Sequence, residues 1–157
     1  MPNKLCRVMA VAACALSTIG AASSAQAAAP TCLGRPATIV GTSAAERIEG
    51  TDGDDVIVGR SGGDIIDARA GNDVVCGDGG GDTINGGPGN DTLLGGLGRD
   101  RITGGSGQDT IVAGLGNDTI RVRDGEIDRV SCGPGRDRVI ADPQDVVAKD
   151  CESVQRG

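Results

Sequence analysis

Between Gly50 and Arg121 the hydrophobic positions recur with a period of nine residues: Ile57, Ile66, Val75, Ile84, Leu93, Ile102, Ile111 and Ile120. Two residues ahead of each stands an aspartate: Asp55, Asp64, Asp73, Asp82, Asp91, Asp100, Asp109 and Asp118. Two residues ahead of each aspartate stands a glycine, from Gly53 to Gly116. The eight units, GTDGDDVIV, GRSGGDIID, ARAGNDVVC, GDGGGDTIN, GGPGNDTLL, GGLGRDRIT, GGSGQDTIV and AGLGNDTIR, follow one another without a gap. A self-similar period this short matches neither a helix face nor a long strand; it is the mark of a solenoid whose units bury one another by stacking. The pattern predicts an all-β chain in which each unit is a six-residue turn, GGxGxD in its best copies, followed by a three-residue strand. Because side chains alternate along a strand, the eighth position points inward and the seventh and ninth outward. Two units then make one coil of eighteen residues, with two short parallel sheets face to face and the aliphatics between them.

The flanks follow the same phase more loosely. Thr38-Ile39-Val40 and Arg47-Ile48-Glu49 place aliphatic residues eighteen and nine residues before Ile57, as degenerate first coils within an N-terminal cap of residues 28–49. After the repeat domain, residues 50–121, the phase slips by one residue across Asp124–Asp128 and resumes with Asp128, Val130, Gly135, Asp137 and Val139. Residues 122–157 therefore read as a phase-shifted repeat and a C-terminal cap, since a solenoid must cover its last coil. Residues 1–27 read as a cleavable secretory signal: Lys4 and Arg7, an apolar run from Val8 to Ala22, then Ala25-Gln26-Ala27. The segment Val11-Ala12-Ala13-Cys14 offers a competing site at which Cys14 would carry a lipid, but only a short apolar run separates it from Arg7. The leader is too short and alanine-rich for a retained membrane span.

Composition sharpens this. The chain has 28 Gly and no Phe, Trp, Tyr or His, so its core must be built from small aliphatic contacts. A formal charge of -7 overall argues against a nucleic-acid partner, whose phosphates need Lys and Arg clusters. The absence of His, of HExxH, GxSxG and P-loop motifs, and of any sizeable region outside the repeats argues against an enzyme and leaves no small-molecule substrate evident. Beyond the leader four cysteines remain, Cys32, Cys76, Cys132 and Cys151, as expected of a disulfide-bonded exported protein. Coils rise by about 4.8 Å each, which puts Cys76 and Cys132 beyond the roughly 7 Å reach of a disulfide. The expected pairs are therefore Cys132 with Cys151 and, if the N-terminal segment folds back along the stack, Cys32 with Cys76.

Coiling places Asp55, Asp73, Asp91 and Asp109 in one column and Asp64, Asp82, Asp100 and Asp118 in another, each about 5 Å from the next. Like charges at that spacing repel by roughly 1 kcal/mol per pair in water and by more where water is excluded. Cations must offset this, and the donors are all oxygen, which favours a hard, geometrically tolerant ion such as calcium over magnesium. The units GGPGNDTLL, GGLGRDRIT and GGSGQDTIV resemble the GGxGxDxUx nonapeptide of RTX, or haemolysin-type calcium-binding, proteins. The resemblance implies a parallel β-roll, a β-solenoid with short caps, in which sixth-position aspartates and turn carbonyls share calcium ions. It carries the carbonyls of Gly87, Gly89, Gly96, Gly98, Gly105, Gly107, Gly114 and Gly116 into the ligand set. Thr51, Arg60, Arg69 and Asp78 stand where the second glycine belongs, so the first four units are expected to bind more weakly. The function implied is calcium binding by a secreted, non-catalytic module that folds on calcium. A surface-recognition or adhesion module, or a non-catalytic part of a secreted hydrolase system, is the alternative.

Overall fold

The computed structural model describes residues 29–157; the expected leader and the Cys14 alternative lie outside the described residues. The chain opens with a small antiparallel hairpin, β1 (Thr31–Cys32) and β2 (Arg35–Pro36). It then winds alternately through two seven-stranded parallel sheets. The first holds β3 (Ile39–Val40), β5 (Val56–Val58), β7 (Val74–Gly79), β9 (Thr92–Leu97), β11 (Thr110–Leu115), β13 (Arg129–Ser131) and β15 (Val146–Val147). The second holds β4 (Arg47–Glu49), β6 (Ile65–Asp67), β8 (Thr83–Pro88), β10 (Arg101–Ser106), β12 (Thr119–Val122), β14 (Arg138–Ala141) and β16 (Ser153–Arg156). No helix among the described residues is long and apolar enough to cross a membrane.

The coil is the eighteen-residue unit that the period implies: Ile111 pairs with Leu93, Leu93 with Val75, and Val75 with Ile57. The eighth-position side chains from Ile57 to Ile120 are at most 1% exposed and form one continuous core between the sheets. The degenerate strands β3 and β4 join the ladder in register, Ile39 against Ile57 and Ile48 against Ile66.

The strand length differs from the expectation. In β7 to β11 the strand is six residues, not three, because pairing runs on through the first three positions of the next unit, as in Gly105 with Gly87 and Ser106 with Pro88. The turn proper shrinks to the remaining three positions. The second-position residue lets this happen by adopting φ of 105° to 122° at Gly87, Gly96, Gly105 and Gly114, which bends the path while the amides stay aligned with the stack. Arg60, Arg69 and Asp78 adopt the same bend with φ of 77°, 74° and 68°, at a cost of about 1–2 kcal/mol for each side chain held there. The fourth-position glycine has a different reason. A Cβ added to Gly98 would stand 1.6 Å from the Gly80 carbonyl oxygen of the preceding coil, so nothing larger fits between coils.

Each end is fastened covalently, by Cys32–Cys76 and Cys132–Cys151, the two expected pairs, and both fit an oxidising compartment. At the N-terminal end the hairpin lies on the outer face of the first sheet, where Cys32, Val56, Val58, Val74 and Cys76 make a second buried cluster with Ala37 and Leu94 against it. At the C-terminal end the phase slip lengthens one coil to nineteen residues, Ile111 against Val130 and Ile120 against Val139. The surplus residue is taken up in the turn that contains Gly125, whose φ is 95°. The ladder then continues into β15 and β16, so the last residues are a shortened coil and not a separate element. Arg156 closes it: its Nη1 donates to the carbonyl oxygens of Asp142, Pro143 and Asp145 at 2.8, 3.3 and 3.1 Å.

Since β16 is exposed along its length, Arg156 and the nearby disulfide hold it in place. Arg156→Gln should therefore strip hydrogen-exchange protection from the amides of β16 while leaving β5 to β9 unchanged. Cys132→Ser removes a bridge over 19 residues, a loss on the order of 3 kcal/mol, and should loosen both β15 and β16. Undiminished protection of β16 in both variants would contradict this account.

Candidate metal centres

The sixth-position aspartates face inward because they share the parity of the eighth-position aliphatics, and all eight are at most 5% exposed. From Asp73 and Asp82 onward each carboxylate takes part in a relay along the stack, its Oδ1 accepting the backbone N–H of the aspartate one coil earlier. In the first column Asp55, Asp73, Asp91, Asp109 and Asp128 donate in turn to Asp73, Asp91, Asp109, Asp128 and Asp145, at 2.8, 2.8, 2.9, 2.8 and 3.1 Å. In the second, Glu46 donates to Asp64 at 3.0 Å. From there Asp64, Asp82, Asp100 and Asp118 donate to Asp82, Asp100, Asp118 and Asp137 at 2.8 Å each. Glu152 ends that column by accepting from the Asp137 N–H at 2.8 Å.

The second oxygen is what sets these groups apart. Oδ2 of Asp64, Asp73, Asp82, Asp91, Asp100, Asp109, Asp118, Asp128 and Asp137 is buried and has no hydrogen-bond partner. In Asp64, Asp82, Asp91, Asp100 and Asp109 it faces across the turn to the glycine at the first position of its own unit, a position that Ala68 and Ala113 take in the units of Asp73 and Asp118. A Cβ added to Gly86 would stand 2.4 Å from Asp91 Oδ2 and 2.4 Å from the Gly104 carbonyl oxygen; at Gly95 the figures are 2.5 Å to Asp100 Oδ2 and 2.4 Å to the Ala113 carbonyl. A carboxylate oxygen and a carbonyl of the next coil thus converge on space that any side chain would fill. The second- and fourth-position carbonyls also point along the stack, since a Cβ on Gly105 would meet the Gly87 oxygen at 1.9 Å and one on Gly107 the Gly89 oxygen at 2.1 Å. Gly96, Gly98, Gly114 and Gly116 repeat the arrangement.

This donor set fits a hard cation. It is made of oxygen only, and the four cysteines of the described residues are spent in disulfides. Among the described residues no three acidic, His or Cys side chains gather at one point, so carbonyls must complete any coordination shell, as calcium with its six to eight oxygens allows.

Two expectations from the sequence change here. Asp55 belongs to its column but is already satisfied. Its Oδ2 accepts from the Thr51 N–H at 2.7 Å and the Thr51 hydroxyl at 2.9 Å, and its Oδ1 from the Thr38 hydroxyl at 3.0 Å. Asp128 and Asp137, which were not among the candidate ligands, carry the same unpartnered oxygen as the repeat aspartates. Their signal was in the sequence, for each stands two residues before an inward aliphatic, Val130 and Val139, but the phase slip takes them out of the nonapeptide count.

Burial dominates the acidity of the columns. It pushes Asp91, Asp100 and Asp109 up to about 6, against partial relief from the N–H of the preceding aspartate and with added repulsion from neighbouring carboxylates. Asp128 is pushed up to about 7, again by burial first, then by the charges of Asp109, Asp124 and Asp145. Asp73, Asp82 and Asp118 move in the same direction for the same leading reason. At Asp55 burial also raises the value, but the Thr51 N–H and the two hydroxyls outweigh it and hold the carboxyl below its usual range. A carboxyl raised above its unfolded value favours the fold while protonated. That contribution is full below pH about 4 and disappears as the pH rises through the folded values. Metal-free protein should accordingly gain β-structure by circular dichroism at pH 4 and lose it between pH 5 and 7.5. A β-content that is flat or rising across that range would contradict it.

Searches of curated proteins and of solved structures find no match. The family profile described as RTX calcium-binding nonapeptide repeat matches in four overlapping copies, at residues 40–75, 49–84, 77–111 and 85–120. These copies run unbroken over just more than half of the chain, across the coils whose buried carboxylates lack a partner. Together with the parallel two-sheet solenoid, the match establishes that the chain belongs to the RTX calcium-binding repeat family and that calcium is its ligand.

Proposed function

We propose that this protein is an exported, non-catalytic β-roll that folds around calcium held by Asp64, Asp73, Asp82, Asp91, Asp100, Asp109, Asp118, Asp128 and Asp137. The observation that carries this reading is the row of nine buried, unpartnered Oδ2 atoms. Turn carbonyls complete each site, those of Gly87, Gly89, Gly96, Gly98, Gly105, Gly107, Gly114 and Gly116 in the most regular coils. Calcium, when bound, supplies the positive charge that offsets repulsion within the columns. The chain's own part is to hold Oδ1 in the amide relay, so that Oδ2 is oriented into the turn. Asp55 serves instead as an end stop already satisfied by Thr38 and Thr51. The non-catalytic reading is supported by the sequestration of the column carboxylates, which recur with the repeat and lie beneath the surface. Export is supported by the two disulfides and by the leader-like residues 1–27, with the remainder divided as an N-terminal cap to residue 49, repeats to 121 and a shortened terminal region.

In excess chelator at pH 7.5 the protein should be largely disordered, because each unpartnered carboxylate costs more than its coil's small core returns. Millimolar calcium should restore β-structure, with magnesium far less effective. Full β-content in chelator would sink the reading. Eight repeat units make four coils, hence three gaps in each of two columns, and the stoichiometry should exceed those six. Asp91→Ala, Asp109→Ala and Asp128→Asn should each lower the calcium count by about one and the affinity by roughly tenfold or more. Asp55→Ala should leave the count unchanged. Equal loss of bound calcium at Asp55 and Asp91 would refute the distinction between satisfied and unpartnered carboxylates.

A further inference from the structure

The outer face of the second sheet is divided by charge. Its seventh-position row runs Arg47, Ile65, Thr83, Arg101, Thr119, Arg138, and its ninth-position row Glu49, Asp67, Asn85, Thr103, Arg121, Ile140. At the N-terminal end Glu49 bridges Arg47 at 2.9 Å and Arg69 at 2.7 Å, and Asp67 accepts from Asn85 Nδ2 at 3.2 Å. From β10 onward the only charged residues in either row, up to the last strand, are Arg101, Arg121 and Arg138, all exposed. Arg99 and Arg136, exposed in the turns that lead into β10 and β14, extend the same edge. None of these five makes an ion pair among the described residues. Arg138 donates from Nη2 to Gln155 Oε1 at 3.1 Å, a neutral partner that leaves its charge in place; in a chain this acidic, five arginines without a carboxylate partner on one half of one face leave a concentrated positive surface.

We propose that this arginine face is a calcium-gated docking surface for an acidic polysaccharide. Three features select that partner. The cations are guanidinium groups, which grip carboxylate and sulfate in bidentate fashion where an ammonium offers only a point charge. They are set on a flat lattice in which adjacent strands lie about 4.8 Å apart, close to the rise of one sugar in an extended glycan. The face has no aromatic side chain to stack on a nucleobase, and the chain has none at all; the one apolar residue in its outward rows from β10 to β14, Ile140, is partly buried and offers little to a bilayer. The gating follows from charge. Beyond the leader the chain has 13 basic and 22 acidic residues, so the metal-free form repels a polyanion. On the proposed function, on which this inference rests, the fifth bound calcium reverses the net sign, and folding brings the arginines together on one sheet.

The probe is dextran sulfate, titrated against the calcium-loaded protein and against protein in excess chelator. The calcium form should bind, with a salt dependence reflecting about three contacts, and the chelated form should bind at least about tenfold more weakly. Replacing Arg101, Arg121 and Arg138 together by Ser should weaken binding about tenfold or more while calcium-induced β-structure persists. A charge-matched control, Arg35, Arg129 and Lys149 to Ser, should stay within a few-fold of the parent. Equal losses in the two triple variants, undiminished binding in chelator, or equally tight binding of duplex DNA or phosphatidylserine vesicles would each overturn the proposal. If calcium fails to raise β-content, the proposed function itself fails; a protein that folds on calcium but ignores the polymer overturns this inference alone.

Discussion

The fold depends on a carboxylate that is half satisfied. Beyond Asp55, each inward aspartate ties its coil to the one before by accepting an N–H on Oδ1, and so acts as a rung of the ladder as much as a candidate ligand. Its other oxygen is buried without a partner, and leaving such a group unmet costs about 1–3 kcal/mol, more when it is charged. The aliphatic core offers one mid-sized side chain per unit and no aromatic ring. On the proposed function, the balance between these two terms makes the fold conditional: protons or a hard cation supply what the side chains do not. Substituting the aspartates by apolar residues would remove the penalty but also the relay, so the same atoms create the need for calcium and the stack that answers it.

A column of this kind needs ends, and the chain makes them from its own groups. At the N-terminal end Thr38 and Thr51 give Asp55 three hydrogen bonds. At the C-terminal end the Asp142 N–H satisfies Asp145 Oδ2 at 2.6 Å, and the Arg156 guanidinium stands on the last turn's carbonyls. Hydroxyls and an arginine are fixed substitutes for a metal. They confine the calcium requirement to the interior of the stack, while the disulfides hold the terminal coils, which have a neighbour on one side only.

What the sequence made legible was whatever depends on the period. Ile57 to Ile120 named the core, the aspartates named the columns, and coil height excluded a Cys76–Cys132 bridge, while Cys32–Cys76 also needed the N-terminal segment to fold back along the stack. The strand length was not legible because it contradicts local propensity: glycine disfavours strands, and only stacking against an identical turn makes Gly86–Pro88 or Gly104–Ser106 part of a ladder. Asp128 and Asp137 escaped because a one-residue slip breaks the count without breaking the coil. The covering hairpin left a trace, for Val56, Val58, Val74 and Cys76 are apolar at outward positions where later coils carry Thr110, Arg129 and Ser131. That trace has meaning only once the two sheets are known to have outer faces.

The two halves of the stack are thus stabilised by different means, and the substitutions at the second position show why. Arg60, Arg69 and Asp78 hold a bend that suits glycine, so the early coils carry backbone strain that the later ones avoid. Those same coils have a second apolar cluster and a disulfide across it, which offset the strain without help from metal. The later coils bend at glycine and have no such cover, but their carboxylates are the ones whose acidity burial displaces furthest, at Asp91, Asp100, Asp109 and Asp128. On the proposed function, dependence on calcium is therefore concentrated in the middle and later coils, next to a covalently braced N-terminal end. In a fold where each coil contacts only its neighbours, a braced end adjoining a metal-dependent stretch gives calcium-driven folding a template on which to propagate, one coil at a time.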